Sequence, residues 1–357
     1  MTLSERRTSD ADERRFDAAT VRGRIEHLPW RPAVGLFILA PWMAEMSWGG
    51  IPFTQMPLVL LFLGPVYGAA AILIREFARR TGRGWPTMLL WAAAFGIFQA
   101  GVVDQSLFNR NYGGRDFTEP LQIPGVGASL IYVIAFVTGH VVASIGVPIA
   151  LVESCSRRAE TQRWFTGLGM GVVAVLYIVG SLINHVGVKN EEGGGFQARP
   201  EQTLIAAGVA LALVVTGTFM RTRQRHTGWA PPWWALLIGA FVAYIFYLPS
   251  LTSFGAVVAV VVIAGVALVI FRWSGTVSWS RGHTFALAIG VALTGAVVPF
   301  IVEPYEATSP GSEREADIVA AGVCLCLVAV CAWLYARSRP VTIGLEDGSL
   351  DLTGRTR

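Results

Sequence analysis

The chain has 357 residues, of which 53% are hydrophobic and only 15% are charged, and its mean hydropathy is +0.53. Soluble globular proteins carry roughly 25% charged residues, so the composition excludes an ordinary soluble domain. The net charge is only +4, and no basic stretch is interleaved with aromatic residues as in a nucleic-acid-binding surface. We therefore expect a multi-pass membrane protein that is surrounded by the lipid bilayer and binds no nucleic acid.

Residues 1–32 form a polar segment in which arginines and acidic side chains are mixed. No apolar core follows at the distance found in a secretory signal peptide. We interpret this segment as a cytosolic tail.

Ten apolar segments follow, each close to the roughly 20 residues that cross a bilayer as a helix. The first is the least regular, because Pro41 and the Trp48-Gly49-Gly50 sequence interrupt it, and a broken or re-entrant helix is expected there. The predicted segments are 33–48, 57–76, 86–104, 128–153, 164–186, 203–220, 232–248, 252–271, 284–302 and 316–336.

These segments predict an all-α fold, a polytopic bundle of about ten transmembrane helices. A polar, Gly-rich loop at 189–202 divides the chain into two halves of five helices, 33–188 and 203–336, and a second cytosolic tail follows at 337–357. An odd number of helices in each half gives the second half the opposite orientation in the membrane.

The distribution of basic residues tests this count, because lysine and arginine gather in cytosolic loops. If the amino terminus is cytosolic, all but five of the 28 lysines and arginines fall on the cytosolic side. The cluster from Arg75 to Arg83 is the strongest of these signals, and we interpret it as a determinant of topology rather than a binding site. The pattern predicts an inner (plasma) membrane protein with both termini in the cytosol.

Polar groups at membrane depth are costly and often mark functional sites, and here they are concentrated in the first half of the chain. The helical rise of about 1.5 Å per residue places Glu45, Gln99 and His140 near the middle of the membrane. Asp104 and His185 fall near the outer boundary. We predict a polar site at the first three residues with a second layer at the other two, although such groups can also serve only as hydrogen bonds between helices.

Glu153 falls near the cytosolic end of its segment, four and five residues before Arg157 and Arg158. This position predicts a surface ion pair rather than a site.

The stretch Phe136-x-x-x-His140 resembles the second motif of the CPBP (CAAX-protease and bacteriocin-processing) intramembrane metalloproteases. The first motif of that family is Glu-Glu-x-x-x-Arg, and the helix around residues 94–101 looks like the one that carries it. In this sequence the two glutamate positions hold Gln99 and Ala100, and the arginine position holds Asp104.

The third family motif is a histidine followed four residues later by asparagine or aspartate. His185 is followed at that distance by Lys189, with Asn190 one position too late. The resemblance covers roughly residues 64–190.

The resemblance implies a zinc or other divalent metal ion held by Glu and His side chains, with a second glutamate activating the attacking water. His140 is the residue that matches a metal ligand cleanly. Gln99 cannot take a proton and Ala100 has no ligand atom, whereas a catalytic zinc needs three protein ligands and the water needs a base. We therefore expect a member of this scaffold that has lost proteolysis and requires no cofactor.

Three alternatives stay open. The division into five plus five helices, with Glu45 and His140 at mid-membrane, is compatible with a secondary transporter. An active metal-dependent peptidase would need Glu45 to supply the missing carboxylate. A membrane scaffold without chemistry of its own is the third, and the sequence identifies no solute, substrate or protein partner.

Overall fold

The computed structural model describes residues 30–156, 162–190, 193–220, 225–247, 250–302 and 310–338. Within these ranges the chain forms helices, turns and three isolated β-bridges, with no extended strand. The predicted all-α fold is confirmed. The predicted tails lie almost entirely outside the described residues.

The first three helices are interrupted twice by π-helical turns. Helix α1, Arg31–Pro41, continues into a π-helical turn at Trp42–Met46. Helix α2, Met56–Phe62, is separated from α3, Ala69–Arg80, by a second π-helical turn at Gly64–Gly68. The chain bends by 51° between these two helices, because Pro65 has no amide hydrogen to donate and its ring interferes with a continuous helix.

The next two long helices contain the remaining π-helical turns. Helix α4, Trp85–Phe98, passes directly into a π-helical turn at Gln99–Val103. Helices α5, Leu130–Gly139, and α6, Val147–Cys155, are joined by a π-helical turn at His140–Gly146 and form one uninterrupted span.

The rest of the bundle is more regular. Helices α7 and α8 are Gly167–Asn190 and Pro200–Phe219. Helices α9 to α12 are Trp233–Phe246, Ser253–Trp273, Arg281–Ala292 and Pro310–Arg337. Two short 3₁₀ turns, Leu293–Ala296 and Val298–Phe300, extend α11.

Within the described ranges, seven helices are long and apolar enough to cross a membrane, and the bent pair α2–α3 makes an eighth if it crosses as one unit. Helix α9, with 14 residues, and α1, with 11, are shorter. A multi-pass helical bundle is therefore confirmed. The number of helices that are long and apolar enough to cross a membrane is seven or eight in the described ranges, which is fewer than the predicted ten. The seven spans are Trp85–Val103, Leu130–Cys155, Gly167–Asn190, Pro200–Phe219, Ser253–Trp273, Arg281–Phe300 and Arg314–Arg337.

Two glycines allow the close packing that positions the polar side chains of the first half. A Cβ atom on Gly68 would lie 2.6 Å from the carbonyl oxygen of Phe37, so the second π-helical turn packs directly on the backbone of α1. A Cβ atom on Gly96 would lie 2.9 Å from the Cβ of His140, so α4 approaches the α5–α6 span equally closely. Small residues permit such approaches between helices in lipid, where dispersion contacts and hydrogen bonds hold helices together.

Candidate functional site

The four π-helical turns of the described residues each carry a side chain that can hydrogen-bond. They contribute Glu45, Tyr67, Gln99 and His140, in chain order. A π-helical turn inserts one extra residue into a helix and is frequently found at functional sites. Three of these four residues are the predicted mid-membrane site, and the fourth, Tyr67, was not predicted.

Tyr67 lies between Glu45 and His140. Its hydroxyl donates a hydrogen bond of 2.5 Å to Oε1 of Glu45, and its ring centroid is 5.8 Å from that of the His140 ring. Tyr67 is buried, while Glu45 is half-buried. Tyr67 therefore contacts two of the predicted site residues, Glu45 through its hydroxyl and His140 through its ring.

The His140 ring is fixed on one side and has no partner on the other. Its Nδ1 lies 2.6 Å from the carbonyl oxygen of Phe136 in the preceding turn. Because a carbonyl can only accept, Nδ1 carries a proton, and in the neutral ring Nε2 keeps a free lone pair. Nε2 is buried, and no hydrogen-bond partner for it is present in the described part of the chain. A buried polar atom without a partner is unusual and points to a bound water, ion or ligand.

Phe95 packs against both rings. Its centroid is 5.4 Å from His140 and 5.8 Å from Tyr67, edge-on in both cases. Phe95 also faces Tyr177 of α7 at 6.3 Å. This aromatic group separates the Glu45–Tyr67–His140 site from an apolar groove of about 500 Å³, whose lining includes Phe95, Tyr177 and Leu211.

Gln99 lies one helical turn beyond Phe95 and belongs to a second group of polar side chains. Its Nε2 donates to Oδ1 of Asn184 at 2.9 Å and to Oδ2 of Asp104 at 3.4 Å. Its Oε1 is buried without a partner among the described residues. Ala100, at the second glutamate position of the resemblance, is buried in an apolar cluster with Leu107, Phe108 and three other alanines.

The two residues predicted as a second layer hold the end of the π-helical turn that follows α4. Asp104 Oδ1 accepts the backbone amide of Ser106 at 2.9 Å, and His185 Nδ1 lies 2.7 Å from the carbonyl oxygen of Val103. Asp104 thus accepts a hydrogen bond from the Gln99 side chain, and His185 contacts a backbone carbonyl of the π-helical turn that contains Gln99. Asn184, which was not predicted as a site residue, links this group to α7.

The metal that the resemblance implies needs more ligands than these groups provide. A catalytic zinc takes three protein ligands and keeps one open position. Among the described residues, no three His, Cys, Asp or Glu side chains are grouped closely enough to hold a metal ion. The described donor set does not fit such a metal, and a role for His140 as a metal ligand stays a prediction.

A separate cluster of charges lies where α3 and α6 end. Arg75 is fully buried, and its Nε donates to Glu153 Oε1 at 2.9 Å. Arg75 also donates to Glu76 and packs its guanidinium 4.0 Å from the ring centroid of Trp164. Arg79 donates twice to Glu153, at 2.9 and 2.5 Å.

Glu153 is only 4% exposed, so the prediction of a surface ion pair is wrong. The guanidinium groups that reach it come from another helix, whereas Arg157 and Arg158 lie outside the described residues. The interpretation of Arg75 as a topology signal alone is also incomplete, because its side chain links α3 to α6. The ion pairs of this cluster hold α3 against α6, and none of its residues belongs to the predicted site.

No protein-family model, no curated protein and no solved structure matches this chain.

Proposed function

We propose that this chain is a multi-pass protein of the inner (plasma) membrane that resembles the CPBP scaffold but does not hydrolyse peptide bonds. All ten apolar segments cross the membrane in this proposal, with α1 and α9 as short crossings and both termini in the cytosol. The alternation of basic and weakly charged loops supports this topology, because an added or missing crossing would place basic loops on both sides.

The contacts of two residues in the π-helical turn after α4, Gln99 and Ala100, carry the proposal. Where a peptidase of that family would have a glutamate ligand, Gln99 uses its amide group to bridge Asn184 and Asp104. Where it would have the base, Ala100 contributes a methyl group to an apolar cluster. Neither residue has a carboxylate, so neither can supply the charged metal ligand or take a proton from water. Gln99 and Asp104 instead stabilise the packing of α4 on α7.

In this proposal, Glu45, Tyr67 and His140 form a site at mid-membrane for a proton or a small polar molecule. Glu45 and His140 can both change charge, Tyr67 connects them, and the buried Nε2 of His140 is free to accept a hydrogen bond. Ionisable groups inside a bundle that pair with one another are typical of binding sites and proton relays.

Metal analysis of the purified full-length protein tests the loss of proteolysis. We expect less than one zinc, iron or manganese ion per ten chains, both in the unmodified protein and in a His140→Ala variant, after purification without chelators. A His283→Ala variant serves as the matched control, since His283 is half-buried and packs on Trp279 far along the chain from the site. One metal ion per chain that is lost only in His140→Ala would overturn the proposal and favour the active peptidase.

A second candidate function is secondary transport, and the hydrogen bond between Tyr67 and Glu45 favours it. A carboxylate that shares a hydrogen bond at mid-membrane can take up and release a proton as a binding site opens to either side. We expect a panel of labelled amino acids, sugars and organic cations to contain a solute whose uptake into proteoliposomes depends on a proton gradient.

The Glu45→Gln variant tests that function, because glutamine keeps the shape of the side chain but cannot bind or release a proton. Gradient-driven uptake should disappear in Glu45→Gln and persist in Glu201→Gln, in which an exposed carboxylate of α8 is removed. Uptake that survives Glu45→Gln would contradict a transporter centred on this residue.

A further inference from the structure

A cavity of about 540 Å³ lies at the end of the bundle where α4 ends and α8 begins, away from the Glu45–Tyr67–His140 site. Its walls come from three segments that are distant in the sequence: the turn after α4, the loop before α5 and the residues leading into α8. The lining includes Phe108, Arg110, Phe196, Arg199 and Gln202. A cavity of this size matches the few hundred to 1,000 Å³ of typical small-molecule sites.

The three segments are held together by buried side-chain amides. Gln105 Oε1 accepts the backbone amide of Ala198 at 2.8 Å, and Asn109 Nδ2 donates to the carbonyl of Gly193 at 3.2 Å. Both side chains are only 4% exposed. These bonds tie the turn after α4 to the segment that leads into α8.

Gln202 makes the third connection. Its Nε2 donates to the carbonyl of Val126 at 2.9 Å, and its Oε1 accepts the backbone amide of Arg199 at 3.0 Å. A Cβ atom on Gly127 would lie 3.1 Å from Gln202 Nε2, so the loop before α5 packs tightly on α8. The cavity walls are therefore fixed before any ligand binds, which lowers the entropic cost of binding.

The charge of the cavity is positive. Arg110 and Arg199 both line it and are exposed, and neither forms an ion pair with a carboxylate in the described chain. Arginine is the residue of choice for phosphate, because its planar group donates two parallel hydrogen bonds to phosphate oxygens. One guanidinium group can pair with both oxygens of a planar carboxylate. A tetrahedral phosphate has enough oxygens to accept hydrogen bonds from two guanidinium groups on different segments, so it matches this pair of arginines better.

Phe108 and Phe196 supply an apolar wall beside the two arginines. The cavity also lies at the ends of two membrane-spanning helices, Trp85–Val103 and Pro200–Phe219, where the phosphate groups and acyl chains of lipids meet. We propose that this cavity binds a phosphate group attached to an apolar body, either a phospholipid head group or a soluble phosphate ester. The assignment does not depend on the function proposed for the mid-membrane site.

Native mass spectrometry of the full-length protein in a neutral detergent tests the site with four probes. Phenyl phosphate represents a soluble ester, and phenol is its uncharged counterpart. Dioleoylphosphatidylglycerol represents an anionic lipid, and dioleoylglycerol carries the same chains without a phosphate group. We expect at least one of the two anionic probes to bind, and its uncharged counterpart without phosphate to bind at least about tenfold more weakly.

Single variants locate the site. Arg110→Gln and Arg199→Gln should each weaken binding of the anionic probe by about tenfold, because each removes one charge-assisted contact. Arg115→Gln is the matched control, since Arg115 is exposed on the same loop but does not line the cavity. Added sodium chloride should also weaken binding through screening.

Binding of phosphatidylglycerol alone would support a lipid head group as the occupant, and binding of phenyl phosphate alone would support a soluble ester. The inference would be overturned if neither anionic probe bound. It would also be overturned if Arg110→Gln and Arg199→Gln bound the anionic probe as tightly as the control Arg115→Gln, with all three variants as thermally stable as the unmodified protein. Failure of this site would leave the metal analysis and the uptake assays unaffected, because those assays address different residues.

Discussion

Replacing Glu153 by glutamine removes one of the two buried carboxylates of the charge cluster while keeping the size of the side chain. The carboxylate accepts three hydrogen bonds from Arg75 and Arg79. Removing one partner of a buried ion pair costs about 3–5 kcal/mol, because the remaining charge is left uncompensated. Most of this free-energy cost should fall on Arg75 and less on Arg79. Arg75 is fully buried, whereas the Arg79 side chain is 17% exposed and can turn towards water.

Arg75 also keeps its contacts with Glu76 and with the carbonyl oxygen of Gln162, so we expect Glu153→Gln to lose about 3 kcal/mol, the lower part of that range. Arg79→Gln should lose about 1 kcal/mol, since the fully buried partner still compensates Glu153. The free energy of unfolding is measured by titrating the full-length protein in mixed micelles with sodium dodecyl sulfate. Glu201→Gln, an exposed change, should stay within about 0.5 kcal/mol of the unmodified protein.

A loss below about 0.5 kcal/mol in Glu153→Gln would refute this reasoning. It would mean that the carboxylate is hydrated, as the sequence alone predicted, and that Arg75 does not depend on it.

Two further predictions concern the packing of α4 and use the same unfolding assay. Gly96→Ala should cost about 1–3 kcal/mol through overpacking, because the added methyl group meets the Cβ of His140 at 2.9 Å. Gly139→Ala should not be destabilising, since no atom beyond its chain neighbours and the backbone of its own helix lies within 4 Å of the added group, and an equal loss in both variants would contradict a specific contact. Gln99→Glu should cost about 1–3 kcal/mol, because the donated hydrogen bonds are replaced by repulsion with the Asp104 carboxylate. The second change Asp104→Asn should recover most of that loss, and simple additivity of the two changes would contradict the bond between them.

The positions of the long helices could be predicted from the sequence because hydrophobicity and length are local properties. The segment predicted at 164–186 is the helix Gly167–Asn190, and the one at 252–271 is Ser253–Trp273. The bend within the segment predicted at 57–76 was missed, although Gly64-Pro65 is a local signal for it.

The burial of Glu153 could not be predicted in the same way. Its partner Arg75 is 78 residues away in the sequence, and only the packing of α3 against α6 brings the two side chains together. Sequence spacing alone favoured the nearby arginines that follow α6.

Tyr67 was missed for a different reason. A tyrosine inside an apolar segment is ordinarily an anchoring or packing residue, and its sequence neighbours are glycine, proline and valine. Its role depends on the close approach of Gly68 to the backbone of Phe37, which places the hydroxyl beside Glu45. Such an approach follows from the three-dimensional packing and leaves no periodic pattern in the sequence.

The measurement that tests the central claim most directly is nitrogen NMR of full-length protein labelled at its five histidines, with the His140 signals assigned from a His140→Asn variant. The connected Glu45–Tyr67–His140 site predicts a neutral His140 ring with the proton on Nδ1 and a bare Nε2. It also predicts that Tyr67→Phe, which removes the hydroxyl bonded to Glu45, shifts the His140 signals, while Glu201→Gln, an exposed change on α8, leaves them unchanged. A proton on Nε2 with a bare Nδ1, or His140 signals that do not respond to Tyr67→Phe, would contradict the account.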